Sequence, residues 1–177
     1  MQPFKLKIQK LTPEAFAQFG VVLQPGDYVT PEFVPGERPG LELFVTRRMY
    51  DLQRFPELTV HFAYSQTMAI LKGSLVLVVA APPNPQAPPE TWKPDYNRMG
   101  ALLMHQGDVL KFAPGAFHNF QPLGETCQFL LTTARERRDP KERDRAALGE
   151  RSKDPEFRNL ELIRLAERGC PDIELVL

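Results

Sequence analysis

Short apolar segments separated by glycine and proline run through most of this chain, and they restrict its fold more than any other feature. Each segment has the length of a β-strand and is bounded by residues that favour turns. No helical pattern lies between them, so the strands are predicted to pair in an antiparallel barrel or sandwich. The predicted strands span residues 4–8, 41–47, 59–62, 67–71, 75–80, 101–104, 109–112 and 127–132.

One short helix is predicted near the N-terminus. Thr12 can act as its N-cap residue, proline occupies its first position, and Gly20 follows its end, which gives a helix over Pro13–Phe19. Residues 20–40 are rich in proline and glycine and are predicted to form a loop with short extended pieces. Residues 81–94 contain too many prolines for a central strand, so they are predicted to form a surface loop.

Composition and charge exclude several classes of function. The 177 residues are 42% hydrophobic and 25% charged, as in a soluble globular domain. Lys plus Arg and Asp plus Glu balance at 22 each, so no overall field attracts nucleic acid or an anionic membrane. Cys127 and Cys170 lie far apart, which suits a reducing compartment. With no signal peptide or membrane-spanning run recognisable, we expect a cytoplasmic protein.

The last 43 or so residues differ from the rest, because helix-forming and charged residues replace the short apolar segments. Leu160, Ile163 and Ala166 recur at helical spacing and would give a helix one apolar face. The charges in residues 135–151 alternate in sign, which is typical of a solvated helix rather than of a nucleic-acid-binding surface. We therefore predict a barrel domain over 1–134 and a helical C-terminal extension over 135–177.

Two clusters of residues have spacings that resemble the two cupin motifs. In the first, Gln66 follows His61 by five residues and precedes Gly73 by seven; Thr59 stands where the motif has its first histidine. In the second, a glycine starts a strand, a Pro-Gly turn ends it, and His118 lies three residues after the turn glycine. The resemblance implies an all-β, cupin-type double-stranded β-helix (jelly-roll) barrel, here with a short N-terminal helix and a helical C-terminal arm.

A closer resemblance, over about the first 130 residues, is to the ureidoglycolate lyase family of cupins. It rests on the opening FKLKIQKLTPEAFAQFGVVL, on His61, Gln66 and Lys72-Gly73 before an apolar strand, and on residues 106–109 and 115–119. The chain departs from the family at Phe117, where the family has tryptophan, and at Asn119, where it has a second histidine. Residues 24–40 also lack the family's early polar segment.

The resemblance implies an enzyme that cleaves ureidoglycolate into glyoxylate and urea, a step of allantoin degradation in purine catabolism. His61 and His118 are predicted to act as acid and base, facing each other across the barrel mouth, since imidazole titrates near neutral pH. Gln66 is predicted to orient the substrate amide. Lys72 or Arg47 is predicted to pair with the substrate carboxylate, and Asn119 to make a further substrate contact.

The cofactor stays open between none and one divalent metal ion. Nickel is associated with the family, and two imidazoles suit nickel or zinc, with His61, Gln66 and His118 as the candidate ligands. An amide oxygen is a weak third ligand, however. His61 also has a structural interpretation as a hydrogen-bonded core residue, and His105 is predicted to lie at the surface.

Two other functions compete with the lyase. One is a non-catalytic cupin that binds a small acid; the other is a different metal-dependent cupin enzyme, such as a dioxygenase or a sugar isomerase. We expect a homodimer, with the proline-rich loop and the helical arm as contact elements.

Overall fold

A computed structural model describes residues 1–30, 39–47, 54–62, 65–81, 84, 87–88, 91–134 and 160–176. No helix in these ranges is long and apolar enough to cross a membrane. The elements, in chain order, are β1 (Phe4–Lys10), α1 (Pro13–Phe16), β2 (Gly20–Leu23), β3 (Pro39–Arg47), β4 (Arg54–Phe55), β5 (Glu57–His61), β6 (Gln66–Lys72), β7 (Ser74–Ala80), β8 (Met99–His105), β9 (Val109–Phe112), β10 (Phe117–Pro122), β11 (Thr126–Ala134), β12 (Leu160–Arg164) and β13 (Ile173–Val176). Single 3-10 turns span Tyr96–Arg98 and Leu165–Arg168.

The strands form two sheets that share one apolar interior. The larger has the order β12-β5-β10-β7-β8-β1-β13-β4, and the smaller has the order β2-β9-β6-β11-β3. From β5 to β11 the chain passes repeatedly between the sheets, which places β5, β10, β7 and β8 against β3, β11, β6 and β9. This winding is the double-stranded β-helix of a cupin-type jelly roll, so the predicted all-β fold class is confirmed.

Strand β7 shows why its sequence is apolar without interruption. Successive side chains of a strand point to opposite faces, and both faces of β7 are buried. Leu75, Leu77 and Val79 point into the interior between the two sheets. Val76 and Val78 point to a second apolar core on the other side of the large sheet. The site described below lies at one end of the first of these cores.

Turn chemistry follows the sequence closely at two places. The side chain of Thr12 caps α1 by accepting a hydrogen bond from the backbone N–H of Ala15 at 3.1 Å, as predicted, although the helix ends at Phe16 and not at Phe19. Gly73 connects β6 and β7 with a φ of +87°, a conformation that favours glycine. Gly20 begins the short strand β2, which lies in the segment predicted to form a loop with short extended pieces.

The helix predicted around Leu160, Ile163 and Ala166 is wrong. Leu160–Arg164 is strand β12, which pairs antiparallel with β5, and Leu165–Arg168 is a single 3-10 turn. Ile163 is buried in the second core, where pairing with β5 outweighs local helix propensity. Strand β13 pairs with β1, so both terminal strands belong to the large sheet. The first predicted helix of the extension and the division of the chain at residue 134 stay predictions, because residues 135–159 lie outside the described ranges.

Candidate functional site

Buried polar side chains concentrate at one end of the barrel interior. Among the described residues five polar or charged side chains are buried, namely His61, Ser65, Gln66, His118 and Gln121. The first four come from the end of β5, the start of β6 and the start of β10, which meet at the same end of the barrel. Because burying polar groups costs free energy unless they are paired, such a concentration marks a candidate site.

Three aromatic rings meet at this end, and His118 contacts the other two. The centroids of His118 and Phe112 are 4.4 Å apart with 22° between the ring planes. The centroid of His61 lies 5.2 Å from that of His118, with 30° between the ring planes. The two histidines lie on neighbouring strands of one sheet, β5 and β10, so they are side by side and not across the barrel mouth as the sequence interpretation expected. Phe112 therefore covers one face of the His118 ring, and His61 is its neighbour within the same sheet.

The hydrogen bond of His118 fixes its tautomer. Its Nδ1 lies 3.1 Å from the carbonyl oxygen of Ala116, and a carbonyl can only accept, so Nδ1 carries the proton. In the neutral ring Nε2 then presents a lone pair. Burial lowers the pKa of His118 from 6.5 to about 4, against the hydrogen bond to Ala116, which favours the protonated form. At neutral pH His118 is therefore an uncharged acceptor at Nε2.

A backbone contact holds the two histidines in register. The N–H of Gly115 donates to the carbonyl oxygen of His61 at 2.6 Å, which ties the turn before β10 to the end of β5. Gly115 has a φ of +80°, so this turn favours glycine. Three residues later His118 is aligned with Thr59 on β5. The spacing between the turn glycine and the histidine thus sets where the imidazole sits.

Gln66 lies next to Phe112, the residue that stacks on His118. The two residues are aligned partners on β6 and β9, so their side chains lie on the same face, and Phe112 belongs to the interior core. Ser65, immediately before Gln66, is 1% exposed. Sequence reasoning missed both Ser65 and Phe112. The alternation Gln66, Met68, Ile70 along β6 could have placed Gln66 and its cross-strand partner in the interior.

Solved structures with a similar chain path include two enzymes. A variant of the oxalate decarboxylase of Bacillus subtilis aligns with a TM-score of 0.41 and 15% identity, covering 75% of this chain and 42% of its own. A dTDP sugar isomerase of Desulfovibrio desulfuricans aligns with a TM-score of 0.39 and 13% identity, covering 69% and 78%. The chain thus spans less than half the length of that decarboxylase. No family model and no curated protein sequence matches it significantly.

The structure does not bring Lys72 to the histidines. Gln66 and Lys72 lie at opposite ends of β6, six residues or roughly 20 Å apart, and Lys72 is exposed. The backbone of Arg47 is aligned with Thr126, whose carbonyl lies beside Gly73. Arg47 therefore lies at the same end of the barrel as Lys72, away from the histidines. Its side chain lies outside the described part of the chain. The predicted contacts of Lys72 and Arg47 with a carboxylate stay predictions without support from this geometry.

Asn119 has a structural role that the sequence did not reveal. Its Nδ2 donates to the carbonyl oxygen of Glu57 at 2.8 Å, and its Oδ1 accepts from the N–H of Phe120 at 2.7 Å. Because neighbours on a strand point to opposite faces, Asn119 faces away from the side of β10 that carries His118. Its amide joins β10 to β5, and the substrate contact predicted for it stays a prediction.

The donor set does not fit a resident divalent metal well. In the described ranges no group of three or more histidine, cysteine, aspartate or glutamate side chains could hold an ion. His61, His118 and Gln66 together offer two imidazoles and one amide oxygen, whereas catalytic zinc sites keep three firm protein ligands. The predicted metal ligands therefore come together in part, but as an incomplete set.

Proposed function

We propose that this chain is a cupin-fold enzyme that binds a small polar metabolite at the His61–His118 end of the barrel and removes a proton from it. The observation that supports the proposal is the state of buried His118: burial keeps its ring uncharged at neutral pH, and the bond from Nδ1 to Ala116 leaves the lone pair at Nε2. Phe112 covers one face of the ring, and the lone pair of Nε2 lies in the ring plane, so the substrate is proposed to meet the ring at its edge. Ureidoglycolate is the first substrate to test, on the resemblance to its lyases.

The proposed reaction assigns one role to each group. Nε2 of His118 accepts the proton of the carbinol hydroxyl, the C–O bond becomes the carbonyl of glyoxylate, and the C–N bond breaks. The electron pair of that bond goes to nitrogen, which takes up a proton and leaves as urea. His61, whose ring centroid lies 5.2 Å from that of His118, is the proposed donor of that proton. Gln66 offers amide donors, and Ser65 a hydroxyl, to hold the substrate's oxygens.

A second candidate function, binding without turnover, is favoured by one observation. The pKa of His118 is about 4, whereas a general base works best when its pKa lies near the operating pH. A neutral buried imidazole of this kind is well suited to accept a hydrogen bond from a bound molecule. The alternative is therefore a cupin that holds a small acid or polyol without converting it.

The deciding experiment measures glyoxylate released from ureidoglycolate by the wild type, by His118→Gln and by the control His105→Gln. His105 is exposed and bonds Ser74 at 2.9 Å at the other end of the barrel. We expect His118→Gln to lose about a hundredfold or more of the enzymatic rate, and His105→Gln to keep it. No glyoxylate above the spontaneous rate from the wild type would refute the lyase. A saturable thermal shift without product would then favour the binding protein.

A further inference from the structure

The outer face of the small sheet is apolar, which is unusual for a surface that faces water. The residues of its strands that alternate with the interior core point outward. Among the described residues eight large hydrophobic side chains are exposed, and five of them lie on this face. They are Val21 on β2, Leu71 on β6, and Leu41, Leu43 and Val45 on β3.

Strand β3 carries the most exposed part of this face and has an inverted pattern. Leu41, Leu43 and Val45 are 75%, 59% and 57% exposed. Phe44, on the opposite face, stacks on Phe129 with centroids 5.5 Å apart, so the side shared with Glu42 is the one turned toward the interior. A strand that turns leucines outward and glutamate inward is poorly suited to a free surface. In the described part of the chain β3 is also an edge strand of its sheet.

We infer that this outer face, defined by Val21, Leu41, Leu43, Val45 and Leu71, packs against the same face of a second copy of the chain. The face spans roughly 24 Å across five strands and roughly 23 Å along seven residues. It therefore offers on the order of 500 Å² per copy, and two copies together reach the total of about 1,000 Å² at which specific interfaces begin. The inference does not depend on the proposed function.

The charge and polarity of the face favour a copy of itself over a charged partner. Between the apolar side chains stand Thr67, Gln128 and Thr132, which are neutral, and Lys111. The ammonium of Lys111 donates to the carbonyl oxygen of Thr30 at 3.0 Å. In an isologous dimer this face of one copy meets the same face of the other. Because the face is largely neutral and apolar, few like charges would oppose each other there.

Light scattering after size exclusion at micromolar concentration tests the inference with three variants. Leu43→Glu and Val21→Glu place charges near the two edges of the face, whereas the control Leu123→Glu changes an exposed leucine in the β10–β11 turn. We expect a wild-type dimer, a dissociation constant about tenfold or more higher for the first two variants, and no change for the control. Circular dichroism verifies that each variant is folded.

Three results would overturn the inference. The first is a monomeric wild type; the second is a dimer that survives both Leu43→Glu and Val21→Glu. The third is a dimer that Leu43→Glu dissociates and Val21→Glu leaves intact. That result would mean that copies pair edge to edge along β3, because Val21 lies on β2 at the other edge of the sheet and only packing of the faces reaches it.

Discussion

The imidazole of His118 lies nearly flat on the ring of Phe112, with their centroids 4.4 Å apart. Phe112 thus excludes water from one face of the histidine while also filling the barrel interior. We expect Phe112→Leu to lower the free energy of unfolding by about 1–3 kcal/mol, through lost packing and a lost ring contact. It should also raise the pKa of His118 toward its ordinary value, because water gains access to the ring.

Urea unfolding and an NMR titration of the histidine resonances measure these two effects. Phe44→Leu is the matched control, since Phe44 stacks on Phe129 elsewhere in the barrel, at a centroid distance of 5.5 Å. The control should lower stability and leave the pKa of His118 where it is. An unchanged pKa in Phe112→Leu would contradict the role given to Phe112.

The lowered pKa of His118 predicts a specific dependence of stability on pH. In the unfolded chain the imidazole takes up a proton near pH 6.5, whereas in the folded protein it does so only near pH 4. Between these values the unfolded state binds more protons, so stability is full above pH 6.5 and is lost as the pH falls toward 4. The gap corresponds to at most about 3 kcal/mol.

Comparing variants separates this loss from the titration of carboxylates in the same range. Unfolding free energies at pH 7.5 and near pH 4 should differ less in His118→Phe, which keeps a ring in the stack but cannot be protonated. His105→Gln should keep the wild-type difference, because His105 is exposed. If wild type and His118→Phe lost the same free energy over this range, the buried neutral imidazole would be refuted.

The sequence predicted most barrel strands well, because glycine and proline mark turns and apolar runs mark strands without information from distant residues. It failed at β10, where His118, Asn119 and Gln121 interrupt the apolar pattern of a strand. The amides of Asn119 and Gln121 donate to backbone carbonyls of Glu57 and Arg54, and such long-range bonds leave no mark in a local pattern. The strand that carries the central histidine of the site was therefore missed.

The candidate site was predicted in the same uneven way. His61, Gln66 and His118 were selected from their spacing, and in the structure His61 and His118 are in ring contact and Gln66 is aligned with Phe112. Lys72 was chosen for its charge, although its position on β6 decides that it lies at the far end. The apolar pattern of β12 is compatible with either a helix or a strand. It forms a strand because it pairs with β5, a contact that the local sequence does not reveal.

Two glycines with similar backbone angles give a test of steric crowding in the turns. Gly73 and Gly107 have φ values of +87° and +94°. A Cβ added at Gly73 would lie 3.1 Å from the carbonyl oxygen of Thr126, whereas one added at Gly107 would meet nothing within 4 Å. Both alanine variants should lose about 1–2 kcal/mol from the strained φ, and Gly73→Ala should lose more. Chemical denaturation measures the difference, and equal losses would contradict the crowding at Gly73.

The incomplete donor set predicts that a metal ion contributes little to stability. We expect dialysis against a chelator to leave the thermal midpoint unchanged, because two imidazoles and one amide hold a divalent ion weakly. Added zinc or nickel should shift the midpoint of the wild type little more than that of His61→Gln. Near-stoichiometric metal in the purified protein, with a lower midpoint after its removal, would contradict this and would call for a ligand from outside the described ranges.

Trp92 can serve as a fluorescence probe of ligand binding at the candidate site. It is the only tryptophan of the chain, it is 7% exposed, and its Nε1 donates to the carbonyl oxygen of Ala87 at 2.9 Å. Its ring meets that of Phe62 edge-on at 5.0 Å, and Phe62 directly follows His61. A molecule that binds at the histidines and displaces His61 should therefore change the fluorescence of Trp92 in a saturable way. His118→Gln should abolish the response, whereas His105→Gln should keep it, and a response that survives His118→Gln would place the ligand elsewhere.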